Sequence, residues 1–281
     1  PLLDPDRFLD KSMPFVRPLF GWAGLAIWSA LIIFAIFQAG IHWRELTSNM
    51  ADRVLSLENV FMLGLIYPVT RVFHEFAHAY AVKRWGGEVH EMGIMLIAFM
   101  PMPYMDASSS SGFYRKNRRM MVGAAGIMVD LLMAALAMIA WVNLGPGTAR
   151  AVAYNIILIG GVSTLLLNGN PLLRFDAYYI LVDLLEIPNL ADRGNKYIGY
   201  LLQRYLLGLK DAVSPAQEES ERPWLACYSV AAFIYRIIIS ISIVLFIAER
   251  FFFIGVVLAI WTGLAIVVFP LVKMGRYIAQ N

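Results

Sequence analysis

The chain has 281 residues, 59% of them hydrophobic and 15% charged, with a mean hydropathy of +0.64 and a formal net charge of +3. That composition excludes an ordinary soluble globular domain and predicts an integral membrane protein. Nothing in the small net charge suggests nucleic-acid binding, and the single cysteine, Cys227, excludes an intrachain disulfide and a cysteine metal cluster. Its apolar surroundings predict a buried small residue.

In chain order, the first residue is Pro1 rather than Met, so the sequence is expected to begin partway into a longer or processed product. No cleavable signal pattern is visible. Residues 2–20 mix Asp4, Asp6, Arg7, Asp10, Lys11 and Arg17 with prolines, which suits an amphipathic segment at a membrane surface. A first spanning helix is predicted over about residues 19–40. His42 follows in a polar stretch ending near Arg53 and is expected at the surface or interface.

A second helix is predicted over about residues 56–84, with Ser56 as its cap and the basic, glycine-rich run Lys83-Arg84-Trp85-Gly86-Gly87 as its stop. Within it stands His74-Glu75-Phe76-Ala77-His78. Four residues of helix advance about 400°, so the two imidazoles lie about 40° apart on one face and can grip one metal ion. Glu75 lies about 100° round from His74, placed to poise a metal-bound water as general base without being a ligand. Such a pattern also arises by chance in soluble helices. An ionisable residue within a span is costly and marks function by default, and this span carries Arg71, His74, Glu75 and His78. The histidines fall about 9 to 15 Å from the Arg84 end at 1.5 Å per residue.

The apolar run 92–105 contains Gly93, Pro101 and Pro103 and is too short and broken to span. It reads as an extended or hairpin element, re-entrant beside the active-site helix, whose edge could hydrogen-bond an extended peptide; the alternative is an inert hydrophobic loop. A polar segment, 106–119, ends in Arg115, Lys116, Arg118 and Arg119. The third span, about 120–144, opens with Gly123-Ala124-Ala125-Gly126, small residues that permit close helix approach. Asp130 inside it is expected to face protein or water, as a structural partner to a backbone group or to Arg71, or in proton transfer.

After the turn Gly145-Pro146-Gly147-Thr148, a fourth span covers about 150–167 and runs into Asn168-Gly169-Asn170-Pro171. Pro171 has no amide hydrogen and disfavours helical geometry at Asn170, so the helix should break there and expose polar backbone. The break is intelligible if it lines a wet site where Asn170 offers its side-chain amide to a substrate carbonyl. Asp176 is then the natural carboxylate to complete a two-histidine, one-carboxylate zinc site; the alternative is a proline kink with an Asp176–Arg174 pair. Glu88, His90 and Glu91 are weaker ligand candidates, because the helix stop puts them at the surface. Beyond lie an amphipathic stretch at about 189–210, a polar linker at 211–222, and two more spans at about 224–248 and 251–272. Arg236, inside the first of these, pairs with Asp130 or Glu75 or snorkels. Six spans with both termini in the cytosol would leave Arg44, Arg53, Arg150 and Arg250 outside, Arg71, Arg174 and Arg236 within spans, and the other basic residues inside, satisfying the positive-inside rule.

His74-Glu75-x-x-His78 followed by Asn170-Pro171 and Asp176 resembles the site-2 protease family of intramembrane zinc metalloproteases over about residues 56–185. The flanking runs Gly86-Gly87-Glu88-Val89, Pro103-Tyr104-Met105-Asp106 and 183–189 resemble a bacterial branch described as peptide zinc metalloproteases. The resemblance implies zinc ligands at His74, His78 and Asp176, a catalytic base at Glu75 and substrate or oxyanion contact at Asn170. It further implies an all-α polytopic membrane protein of about six transmembrane helices, with a three-helix metalloprotease core and a short re-entrant or β-hairpin element. The expected division is an N-terminal interfacial segment and first span (1–55), the zinc metalloprotease core (56–188), a cytosolic amphipathic helix and linker (189–223) and two C-terminal spans (224–281). Expected partners are a peptide or transmembrane protein substrate and the lipid bilayer of the bacterial inner membrane. Two positions depart from the family: Ala177 where Gly is common after the third ligand, and Gly126-Ile127-Met128-Val129-Asp130 where Gly-Pro-x-x-Asn is common. They bear on rate and substrate geometry rather than on the zinc site. The alternative function is a non-proteolytic membrane component of peptide export or envelope assembly that retains the fold and hands peptides to a transporter or envelope partner.

Overall fold

The computed structural model describes residues 2–97, 100–206, 208–209 and 213–265, and its chain falls into two compact units, Pro1–Ser48 with Val60–Asn189 and Asn49–Asn59 with Leu190–Asn281. Both are helical. Five helices among the described residues are long and apolar enough to cross a membrane: Trp22–Ile41, Leu57–Arg84, Lys116–Asn143, Thr148–Asn168 and Glu221–Arg250. The sixth expected span is represented by Phe252–Gly263, and the rest of it, from residue 266 on, lies outside the described residues.

In the first unit, α1 (Asp6–Val16) leads through a 3-10 turn to α2 (Trp22–Ile41). The long helix α3 (Leu57–Arg84) is opened by the expected cap: the Ser56 hydroxyl accepts from the Asn59 amide at 3.3 Å. Six of its eight buried positions, Thr70, Arg71, His74, Ala77, His78 and Ala81, recur every three or four residues and so form one stripe, with Ala79 and Val82 buried near its end. Apolar side chains such as Val69 and Phe73 occupy the outer face, more than half exposed. This inverts the pattern of a soluble helix, as expected where lipid is the outer solvent. The small residues Ala77, Ala81 and Val82 let the C-terminal half pack with Leu9 of α1 and with Val122 and Ala125 of α4 (Lys116–Asn143). The α4 helix also packs on α2, where the Trp28 indole donates to the Met128 carbonyl at 2.8 Å.

Strands β1 (Met92–Ile97) and β2 (Met100–Met105) form the hairpin expected of the apolar run, antiparallel with Met92 opposite Met105 and Leu96 opposite Pro101. Met92 exchanges both backbone hydrogen bonds with Leu3, at 3.1 Å each, on the edge of β1 away from β2. Strand alternation turns Ile94 and Leu96 to that same edge. Opposite them are Pro103 and Pro101, so the outer edge of β2 lacks amide donors where the outer edge of β1 has them. Charge pairs fasten the N-terminal segment beside the hairpin. The Lys83 ammonium meets Asp6 at 2.9 Å and Asp10 at 2.7 Å, and the Val89 amide donates to Asp6 and holds its carboxyl below the usual range.

The helix α5 (Thr148–Asn168) is α-helical to Ile157 and widens to π-helix over Leu158–Asn168. Gly160 is essential to its packing, since a Cβ there would collide with the Asp130 carbonyl oxygen. The helix stops at the expected place, and the chain turns through residues 169–175 before α6 (Asp176–Leu185) begins.

In the second unit, α7 (Leu190–Leu201) packs on α8 (Glu221–Arg250), fastened by an Arg193–Glu221 ion pair; α8 continues into α9 (Phe252–Gly263). Helix α8 starts three residues before its expected boundary. Of the polar linker, residues 211–212 lie outside the described residues. Arg236 donates to the Ala232 carbonyl of its own helix at 3.2 Å. Cys227 corrects an expectation: it is exposed rather than buried. An apolar run in a span faces lipid as readily as a protein core, so hydrophobic neighbours in sequence do not imply burial in protein.

Candidate metal centre

The three residues singled out for a metal come together from two helices. His74 and His78 project from the buried stripe of α3, and Asp176 from the first turn of α6. The His74 Nε2 and His78 Nε2 atoms are 3.0 Å apart, Asp176 Oδ2 is 3.0 Å from the first, and Asp176 Oδ1 is 3.6 Å from the second. A tetrahedral zinc ion with bonds of roughly 2.0–2.1 Å requires its ligand atoms about 3.3 Å from one another. The observed separations straddle that value. Two neutral imidazoles and one carboxylate are also the donor set that a catalytic zinc site uses, with the fourth position left open. These residues therefore fit a zinc ion in both chemistry and spacing.

What holds the ligands is as informative as the ligands. The Nδ1–H of His78 donates to the Val122 carbonyl at 2.7 Å, which leaves Nε2 to face Asp176. His74 Nδ1 meets Asp130 Oδ2 at 2.9 Å. The same carboxylate oxygen takes the Arg71 guanidinium at 2.5 Å and the Thr164 hydroxyl at 2.8 Å. Of the roles weighed for Asp130, the Arg71 pairing is thus realised. Removing one member of a buried charge pair of this kind costs about 3–5 kcal/mol, because the other is left uncompensated.

Gly126 of α4 forms the floor beneath both rings. A Cβ there would lie 2.5 Å from His74 Nε2 and closer still to His78 Nε2. Gly123, one turn earlier, admits Ile180 of α6 at 3.0 Å from the position a Cβ would take. The small-residue run is therefore what lets α4 pass under the ligands. Sequence reasoning read that run as a helix contact and missed its place at the site; its signal is a glycine pair three residues apart in a span that must pass the helix bearing the two histidines.

Glu75 and His78, with Asp176, line a cavity of about 520 Å³ whose walls include Ser110, Ser111, Arg119 and Asp183. Arg119 spans one wall, donating to Asp183 at 2.6 Å and to the Phe113 carbonyl at 2.8 Å. Glu75 thus lines the same cavity as two of the three candidate ligands, beside apolar walls from Met105, Val122 and Val182. Asn170 stands apart. It is half-buried, its side-chain oxygen accepts from the Leu172 amide at 2.9 Å to shape the turn, and it is not among the cavity-lining residues.

The weaker ligand candidates lie elsewhere. His90 is exposed between Glu88 and Asp4, and Glu91 accepts from the Tyr104 hydroxyl at 2.6 Å. His42 sits edge-on to Trp141 at 5.9 Å between ring centres, near Glu45. Comparison with family models, characterised proteins and solved structures found no match to this chain.

Proposed function

We propose that this protein is an intramembrane zinc metalloprotease of the site-2 protease type, built on a three-helix core of α3, α4 and the α5–α6 region within about six transmembrane helices. One observation carries the reading: the side chains of His74, His78 and Asp176 converge at zinc spacing while Glu75 lines the same cavity as His78 and Asp176. His74, His78 and Asp176 would hold the ion. An ion held there would lower the pKa of a bound water and polarise a peptide carbonyl. Glu75 accepts the proton from the attacking water and returns it to the leaving amine. Ser110, Ser111, Arg119 and Asp183 on the cavity wall offer polar groups to the attacking water.

A peptide in a regular helix hides its carbonyls in hydrogen bonds, so the substrate must be extended before it is cut. The hairpin offers the means. The outer edge of β1 presents the backbone groups of exposed Ile94 and Leu96, whereas the outer edge of β2 is blunted by its two prolines. The substrate class is a peptide or transmembrane protein segment, and the setting is the bacterial inner membrane with the cavity toward the cytosol, as the distribution of Lys and Arg favours.

The test is Glu75→Gln in protein purified without chelator and reconstituted with a candidate substrate. Retained zinc with cleavage abolished is expected. Full cleavage by Glu75→Gln would rule out the proposed base, and an unaltered protein that holds no zinc would favour a non-proteolytic role in peptide export or envelope assembly.

A further inference from the structure

The two imidazoles of the site are backed by unlike partners. Behind His78 is a neutral carbonyl, that of Val122; behind His74 is a carboxylate, Asp130, with no exposed surface. A single oxygen of that carboxylate, Oδ2, receives Arg71, His74 and Thr164, while Oδ1 is buried with no partner among the described residues. With its amide oxygen turned toward Arg71, Asn168 accepts from the guanidinium at 2.8 and 3.3 Å. Arginine stays protonated in any protein environment, so it supplies a permanent counter-charge that makes a buried carboxylate tolerable at this depth. The whole arrangement converges on the Nδ1 of one metal ligand.

We propose that Asp130 is a charged positioning residue for the metal site: it keeps the proton of His74 on Nδ1, aims Nε2 at Asp176, and strengthens that imidazole as a donor, with Arg71 present to balance its charge. A carboxylate behind a ligating histidine fixes the tautomer and raises ligand basicity, and loss of such a partner typically weakens metal binding about 10–100-fold. The inference rests on reading His74, His78 and Asp176 as metal ligands.

The geometry supplies an unusually clean variant. In Asp130→Asn the amide oxygen can take the place of Oδ2 and keep all three donors, while the amide nitrogen takes the place of Oδ1, which has no partner to lose. Shape and hydrogen bonds are kept, and the charge is removed. The double variant Arg71→Met with Asp130→Asn removes both charges of the buried pair together. Zinc affinity, measured by competition with a chromophoric chelator on detergent-purified protein, is expected to fall about 10–100-fold in both variants. Thermal unfolding of the metal-free protein is expected to be disturbed in the single variant and recovered in the double one, which separates burial of a stray charge from ligand strength. Affinity within about twofold of the unaltered protein in both variants would overturn the proposal and leave Asp130 as a partner for Arg71 alone. Affinity lost in the single variant and regained in the double one would also overturn it. An unaltered protein that binds no zinc would instead overturn the metal reading beneath it.

Discussion

His74 and His90 each have two carboxylates within 3.3 Å, Asp130 and Asp176 for the first, Asp4 and Glu88 for the second. In composition the two clusters are alike. Their surroundings differ: the side chain of His74 is 3% exposed and that of His90 is 60% exposed. His74 Nδ1 is held by the buried Asp130 carboxylate, so its ring cannot turn away from Asp176 without breaking a buried hydrogen bond. Around His90 water competes for each partner, and two carboxylates there do no more than favour the protonated ring, which as a cation is no metal ligand. Burial and an immobile set of partners, not the residue types, make the first cluster a candidate metal site and the second a surface ion pair.

The sharpest separation of the two is by ligand removal. His74→Ala or Asp176→Ala is expected to weaken zinc binding about 100-fold or more, beyond the range for outer partners, while His90→Ala leaves it within about twofold. Competitive chelation on the purified variants checks this. A comparable loss in His90→Ala would place metal at the surface cluster instead.

A smaller effect isolates the floor of the buried site. Gly126→Ala improves helix propensity by up to about 1 kcal/mol, yet its methyl group collides with both imidazoles, so zinc affinity is expected to drop about tenfold or more while helix content is unchanged. Gly64→Ala, in α3 itself with open space around its Cβ, is the matched control and should bind zinc normally. Equal affinities for the two variants would mean that the rings move aside freely and that the site is less rigid than the packing indicates.

The smallest effect belongs to His90. Glu88 and Asp4 raise its pKa above the ordinary value of 6.5. A raised folded-state pKa means that the stabilisation is fully present below about 6.5 and is lost as pH rises through the folded value. Hydrogen exchange at the Leu2, Leu3 and Met92 amides should accordingly quicken as pH rises above 6.5, beyond the intrinsic base dependence, and His90→Gln should abolish the excess. An identical excess in His90→Gln would assign the loosening to another group.

Much of the buried site could be read from local pattern. The i, i+4 histidines, the Ser56 cap, the hairpin around Gly93, Pro101 and Pro103, and the helix stop before Pro171 all follow from spacing and backbone chemistry within a few residues. What could not be read depends on packing between distant segments. Arg71, His74, Asp130 and Thr164 meet at one oxygen although Asp130 is 59 residues from Arg71 and 34 from Thr164. The position of Gly126 under the imidazoles follows from how α4 crosses α3, and the close approach of Gly160 to the Asp130 carbonyl from how α5 meets α4; neither leaves a periodic trace in sequence. Cys227 was misjudged for the converse reason, since lipid and protein interiors favour the same side chains.

The central claim is that His74, His78 and Asp176 form one metal site with Glu75 as a base rather than a ligand. Zinc content per chain, measured by elemental mass spectrometry on the unaltered protein, Asp176→Ala and Glu75→Gln purified side by side, tests it most directly. About one zinc per chain is expected in the unaltered protein and in Glu75→Gln, with little in Asp176→Ala. Equal zinc in the unaltered protein and Asp176→Ala, or loss of zinc in Glu75→Gln alone, would contradict it.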